Sequence, residues 1–469
     1  MISTIKIIEK ENFSKWFKVL FCVAFIFYIT SWLFTIYLSG IQKSSNLEPI
    51  LPVMSEDGEE YRSLTESILS GTGFSQNGEI DTLRSPGYPS FLAFSKYVTG
   101  SYFTATLLQI FLVFFSAIII RRLDKLFYIN KSKNEGGKRV GEIAASLFLL
   151  NPVVWSLSLL IMTDILFLFL FLFGFYLVVS NPLHRSRVIT ASIVFTLAIY
   201  VRPMGVFVIP IFVALFLITN TTWKDKIKYF TIMIFIILVA VSPWVYRNYR
   251  ITGVADFSSF KAWNLSAYAV PLFLANKNHT GQAEEIINIE KSINIPLSKW
   301  RDLRYSKEVS NIAEKIILDQ PFSYIKYHIM ASLPFLFSSP ISQALGTYKS
   351  AMHISDEFKP SAINYLTSHE WKLFLKSVTA DWWKFAERVI WLIIYVVAIL
   401  GIWIERKRLT TWVFVFIPAY LMILAGPVAN ARYAVQALPF ILIIFSVGVV
   451  WLGDRLIKKY NTLFGKVGN

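Results

Sequence analysis

Cysteine is almost absent: Cys22 is the single one, inside an apolar run, so neither an intrachain disulfide nor a thiolate metal site holds this chain together. Charge is scarce as well. Charged residues make up 16% of the 469 positions, where a soluble globular domain carries about a quarter. Hydrophobic residues reach 55%, aromatics 16%, and mean hydropathy is +0.52. That balance implies an all-α integral membrane protein held by helix packing. The five histidines form neither a His-Glu-x-x-His motif nor a cluster, which leaves zinc chemistry unsupported. There is no Walker A motif and no Gly-x-Gly-x-x-Gly; Gly71, Gly73 and Gly78 have the wrong spacing, which argues against a nucleotide donor. Asn-x-Ser/Thr matches at Asn264 and Asn278 read as chance. No internal repeat, low-complexity tract or separate soluble core stands out, so 1–469 reads as one membrane domain.

Ten apolar runs are long enough to cross roughly 30 Å of hydrocarbon: 17–39, 103–120, 141–159, 163–180, 187–202, 204–219, 228–244, 386–404, 411–428 and 433–452. The first is too long for a signal-peptide core and is expected to remain as an anchor. The net charge of +16 comes from basic blocks between runs, not from a nucleic-acid-binding face. These blocks are Lys6 to Lys18, Arg121 to Arg139, His184 to Arg187, Lys224 to Lys228, Arg406 to Arg408 and Arg455 to Lys459, and they fall in every second loop. Since short basic loops stay cytoplasmic, segments 40–102 and 245–385 are expected outside, facing the periplasm from a bacterial inner membrane, and 386–469 supplies the last helices. Parity makes 323–345 an interfacial or re-entrant helix, or a pair of passes. Trp371, Trp382 and Trp383 suggest a helix lying flat at the headgroup layer.

The first outer segment carries the most informative motifs. Asp57-Gly-Glu-Glu-Tyr61 opens a helix with Tyr61, Leu64 and Ile68 on one face. Asp57 and Glu60 have capping-box spacing; the alternative is a general base kept partly desolvated at the membrane surface. In Arg84-Ser-Pro-Gly-Tyr-Pro89 two prolines and a glycine fix a tight turn. An outer arginine runs against the positive-inside bias, and Arg202, Arg247, Arg250 and Arg432 also map to outer helix ends; together they suit bidentate capture of a phosphate. Asp164 interrupts a long apolar stretch, either as an N-cap or as an intramembrane functional carboxylate. An aromatic belt accounts for Trp244, Tyr246, Tyr249 and Tyr433, but not for the arginines.

Taken in order, Asp57-x-x-x-Tyr61, Arg84-x-Pro-Gly-Tyr-Pro89, Thr163-Asp164, Arg202-Pro-x-Gly205, Pro243-Trp-x-x-Arg-Asn-Tyr249 and Arg432-Tyr433 resemble the membrane GT-C glycosyltransferases. The nearest branch is the bacterial protein-mannosyltransferase and aminoarabinose-transferase group, glycosyltransferase family 39-like, and the resemblance runs from Asp57 to Pro439. It implies a polytopic helical bundle with Asp57 as catalytic base, Arg84 on the donor phosphate and Asp164 shaping the site. Two departures stand out: the large C-terminal soluble domain of some relatives is not seen, and Glu59 or Glu60 is placed to share the role of Asp57.

The expected reaction passes a sugar from a polyprenyl phosphate to an acceptor hydroxyl on a lipid, glycan or protein, with inversion. A phosphate leaving group needs cations more than a proton, so one base with arginines suffices where a glycosidase needs two carboxyl groups. Arg84, Arg247 and Arg432 would hold the phosphate, with Glu60, Tyr61, Tyr88, Arg202 and Tyr433 in support. No cofactor or metal is implied, and no nucleic-acid partner. The rivals are a polysaccharide polymerase or ligase using lipid-linked glycans, and a lipid or anion flippase, which would place its charges near the midplane and show repeated halves.

Overall fold

A computed structural model describes residues 13–42, 52, 54–76, 78–126, 136–180, 184–203, 209–219, 221–337, 339–351, 371, 372, 376, 379 and 382–464. Within these residues the only strands are Ser75–Gln76 and Glu79–Ile80, paired antiparallel in a short ribbon; everything else of regular structure is helical, so the chain is an all-α, multi-pass membrane protein.

All ten apolar runs contain helix, but they are not equivalent. Six helices are long and apolar enough to cross a membrane by themselves: those starting at Lys15, Phe103, Trp223, Trp382, Leu409 and Leu438. The 141–159 run is broken into Arg139–Leu149 and Pro152–Ser158, bent by 58°. Asn151 makes the break, its side chain accepting from the Val153 N–H at 3.0 Å while Pro152 supplies a first-turn residue that needs no N–H partner. The helices Asp164–Val179, Arg185–Val201 and Ile209–Ile218 are shorter. Asp164–Val179 is apolar almost throughout because protein surrounds it. Its Phe171 and Phe175 meet Phe440 at ring separations of 6.2 and 5.1 Å, and Phe414 meets Phe440 at 5.2 Å, the edge-on geometry that aromatic quadrupoles favour. The last run begins its long helix at Leu438, and Ala431–Ala434 forms a separate turn of helix before it.

The 323–345 segment is three short helices, Pro321–Ser332, Pro334–Phe337 and Pro340–Ala351. Proline restarts each one, and 12 residues reach only about 18 Å, so none crosses alone. Buried Glu387 caps the third, accepting from the Ile341 N–H at 3.0 Å and from the Ser339 hydroxyl. Trp382 and Trp383 do not lie on a flat helix as expected: they open the long helix Trp382–Glu405. Trp371 is exposed, and most of the chain between it and Trp382 lies outside the described residues. A second correction concerns 245–385, which does hold a small core. Trp300 is fully buried among Ala262, Val270, Ile289, Val309 and Ala313. The helices Gln282–Ile293 and Ser306–Asp319 present apolar residues three and four apart to it. This Trp300 lobe packs over the end of the bundle where the site lies.

Candidate active site

The helix Glu56–Leu69 is capped by Ser55, whose hydroxyl accepts from the Gly58 N–H at 3.3 Å. The capping role expected of Asp57 and Glu60 is therefore filled two residues earlier, by Ser55, which frees both carboxylates for other partners. The same helix buries Tyr61, Leu64 and Thr65; Thr65 donates to the Pro89 carbonyl at 3.2 Å and Tyr61 meets Tyr88 edge-on at 5.1 Å.

Those contacts bring the Arg84 turn alongside. Its backbone N–H donates to Asp81 Oδ1 at 2.7 Å. Its guanidinium then spans two carboxylates, Nη2 to Asp57 Oδ1 and Nε to Glu60 Oε2, each at 2.7 Å. Gly87 in this turn has an ordinary φ and serves close approach: a Cβ there would sit 2.6 Å from the Tyr200 carbonyl carbon and oxygen. The absent side chain lets the Arg84 turn lie against the end of the helix that leads to Arg202.

Asp164 is the first residue of its helix and fully buried, yet it is not an N-cap. Its carboxylate accepts from Arg202 Nη1 at 2.5 Å and from Arg432 Nε at 3.0 Å. Arg432 also donates from Nη1 to Asp57 Oδ2 at 3.0 Å. Asn430 holds that turn, its side-chain oxygen accepting from the Arg432 N–H at 3.0 Å. Arg301 of the Trp300 lobe completes the set, donating to both Glu60 oxygens at 2.9 and 2.7 Å. The result is one alternating chain, Arg202–Asp164–Arg432–Asp57–Arg84–Glu60–Arg301. Four guanidinium groups against three carboxylates leave one net positive charge.

Burial alone would raise the Asp57 carboxyl, but the guanidinium groups of Arg84 and Arg432 outweigh it and hold it well below the usual carboxylate range. At Glu60 burial is likewise overcome by Arg301 and Arg84. Asp57 is thus no raised-pKa base in this state, contrary to the expectation from desolvation, because both its oxygens are paired. Asp81 goes the other way, raised by burial.

Beside this chain lies a cavity of about 240 Å³, room for a single sugar unit. Of the residues expected from the sequence, Asp57, Arg84, Arg202, Arg432, Tyr61 and Tyr433 line it. Arg202 and Arg432 sit over the Tyr433 ring at 5.6 and 5.7 Å. Glu60 stands behind Arg84. Tyr88 is buried beneath Tyr61, donating to Gln109 at 2.7 Å. Arg247 is turned away from the cavity: Nη1 donates to the Asp81 carbonyl at 3.1 Å and Nη2 to that of Phe74 at 3.3 Å, with the guanidinium over Trp244. It anchors the loop that carries Arg84. Arg250 donates to Tyr246 at 3.1 Å on an exposed surface. The sequence reading missed Arg301, which the same outer-arginine argument would have flagged, and the wall made by Phe260, Trp263, Asn264 and Tyr268. Asn264 faces this interior cavity, which agrees with reading its Asn-x-Ser match as chance. Among the described residues no three histidine, cysteine or carboxylate side chains gather as a metal site.

No family model and no curated protein matches the sequence. The fold has solved counterparts. The oligosaccharyltransferase of Archaeoglobus fulgidus, tethered to an acceptor peptide, aligns at TM-score 0.53 and 11% identity over 97% of this chain and 52% of its own. The same enzyme, AglB, in complex with an inhibitory peptide and a dolichol-phosphate aligns at 0.52, 11%, 97% and 52%. This chain thus spans about half the length of the protein it matches. ArnT from Cupriavidus metallidurans, bound to undecaprenyl phosphate, aligns at 0.39 and 12% identity over 95% of this chain and 80% of its own, too low a similarity to bear on the fold. At this identity the likeness speaks to architecture alone: the chain shares the fold of the membrane part of that oligosaccharyltransferase that it aligns with.

Proposed function

We propose that this protein is a glycosyltransferase of the bacterial inner membrane that moves one sugar from a polyprenyl phosphate to an acceptor hydroxyl on the periplasmic side. The observation that carries the reading is the single cavity into which Arg84, Arg202 and Arg432 converge on Asp57. The solved relative bound to a dolichol-phosphate supports an isoprenoid phosphate as the donor's carrier.

In this mechanism the donor's phosphodiester, with one negative charge, matches the one positive charge of the arginine-carboxylate chain. As Arg84 and Arg432 turn to the phosphate, Asp57 loses the two cations that suppress its basicity. The acceptor oxygen then attacks the anomeric carbon in line, the bond from that carbon to the phosphate oxygen breaks, and the acceptor proton passes to Asp57. Configuration inverts. The leaving polyprenyl phosphate carries two negative charges and the site, with Asp57 neutral, two positive ones, so the charges balance before and after and no separate acid is needed. Asp164 touches neither reactant. It keeps Arg202 and Arg432 aimed.

The test is a deletion strain examined by mass spectrometry of lipid A, surface glycans and exported proteins. One class should lose a sugar mass, restored by the wild-type chain and not by Asp57→Asn expressed at equal level in the membrane. Restoration by Asp57→Asn removes Asp57 as base; an unchanged set of glycans in the deletion strain refutes the activity.

A further inference from the structure

One wall of the cavity belongs to the Trp300 lobe, where Arg301 lies over the Trp263 ring at 5.7 Å, and its geometry is unusual. Residues Phe260–Asn264 and Val270–Asn278 are α-helical, but Leu265–Ala269 between them is a π-turn, with the Val270 N–H donating to the Leu265 carbonyl five residues back. In a regular α-helix, positions five apart point about 140° from one another. The wider π-turn returns residue i+5 to the same face, so the Trp263 and Tyr268 rings meet edge-on at 6.1 Å and both border the cavity with Asn264 between them. Single π-turns are uncommon and concentrate at functional sites. This one is built in firmly. Ser266 donates to the Val309 carbonyl at 2.8 Å and the Ala267 carbonyl accepts from Gln282 at 2.9 Å.

The polar groups on this wall have no use within the protein. Among the described residues the Trp263 indole N–H, the Asn264 amide and the Tyr268 hydroxyl have no hydrogen-bond partner. On the facing side, the hydroxyls of Ser85 and Thr163, only 2% and 1% exposed, also border the cavity without a partner. Ser85 and Thr163 are buried residues, whose polar groups are normally satisfied, whereas Trp263 and Asn264 are half-buried and Tyr268 is exposed on the cavity side. Together they set hydrogen-bonding groups beside two aromatic rings, a combination complementary to a ligand rich in hydroxyls and carrying an apolar ring face. The Tyr268 phenol, raised by burial, is also raised by the charge of Asp57, which places the wall within electrostatic reach of the proposed base.

We infer that Trp263, Asn264 and Tyr268 form the subsite that reads the pyranose ring of the donor, with the two rings against its apolar face and the Asn264 amide on a ring hydroxyl. This assignment rests on the reading of the site as a polyprenyl-phosphate sugar transferase. The phosphate on Arg84 and Arg432 sets one end of the donor, and the wall takes the sugar that projects from it.

The measurement is binding to purified protein in nanodiscs of undecaprenyl phosphate and of its mannosyl and glucosyl phosphodiesters, with Trp263→Ala, Trp263→Phe, Asn264→Ala and Tyr268→Phe beside the wild type. The wild type should bind one sugar-bearing lipid more tightly than the bare phosphate. Trp263→Ala should cut that advantage about tenfold while affinity for bare undecaprenyl phosphate stays within about twofold, and Trp263→Phe should restore most of it. Asn264→Ala should narrow the mannosyl–glucosyl difference. Parallel loss of bare-phosphate affinity, or no sugar advantage in the wild type, overturns the assignment; so does a variant whose only defect is a raised KM for the acceptor, since the ring on the wall would then be the acceptor's. Failure of the proposed function shows differently, as no binding of any of the three lipids.

Discussion

Asp57→Asn should abolish transfer and at the same time tighten binding of undecaprenyl phosphate. Asp57 occupies Arg84 at 2.7 Å and Arg432 at 3.0 Å, the donors the phosphate needs. An incoming phosphate therefore competes with Asp57. Its side chain is 31% exposed and those of the arginines 15% and 16%, which places both pairs between two regimes. Exposed pairs contribute about 0.2–1 kcal/mol, and breaking a fully buried one costs about 3–5 kcal/mol. Two intermediate pairs, with asparagine keeping one acceptor oxygen, give a competition of about 1.5–3 kcal/mol, or a gain of roughly tenfold to a hundredfold in affinity. Native mass spectrometry or thermophoresis in nanodiscs reads that gain with a sugar-free lipid, so the absence of turnover does not obscure it. Arg84→Ala in the Asp57→Asn background should erase the gain. Unchanged or weaker binding in a folded Asp57→Asn protein would show that the phosphate does not use these arginines, and the mechanism would fail with it.

Gly87→Ala should lower the melting temperature, by about 1–3 kcal/mol of stability, and reduce transfer, because the new Cβ would meet the Tyr200 carbonyl at 2.6 Å; a silent substitution would refute the close-approach argument. Arg247→Met leaves the carbonyls of Phe74 and Asp81 without their guanidinium partner. It should cost about 1–3 kcal/mol yet weaken undecaprenyl phosphate binding far less than Arg84→Ala, and equal losses would return Arg247 to the phosphate. Acid should act late. Asp57 and Glu60 are held below their ordinary range, so the stability they contribute is complete above their unfolded values of about 4 and is lost only as pH falls through the lower folded ones. Melting curves should be flat from about pH 7 to pH 5 and decline below about pH 4, with a shallower decline in Asp57→Asn and Glu60→Gln; a decline already steep near pH 6 would contradict the pairing.

The membrane class and the position of the long apolar helices were legible in the sequence, because hydrocarbon demands long apolar segments whose backbone groups are satisfied locally, whereas the short helices of the Trp300 lobe were not. The same logic flagged arginines and acids at helix ends, where they are expensive enough to require a reason. It identified Asp57, Arg84, Asp164, Arg202 and Arg432, all of which meet in the structure. Local pattern went astray where two local readings compete: a capping-box spacing assigned the helix start to Asp57 and Glu60, while Ser55 held it.

What the chain's order alone determined, then, is where apolar helices run and which polar residues they strand at their ends, since both follow from periods of a few residues. Tertiary structure decided which of those residues meet. Arg432 joins Asp57 across 375 positions and Asp164 across 268, Arg247 is drawn off to a loop carbonyl 166 positions away, and a π-turn brings Trp263 and Tyr268 to one face. Long guanidinium side chains take whichever partner helix packing delivers, and that packing is a property of distant segments together, with no trace in the spacing of any one of them.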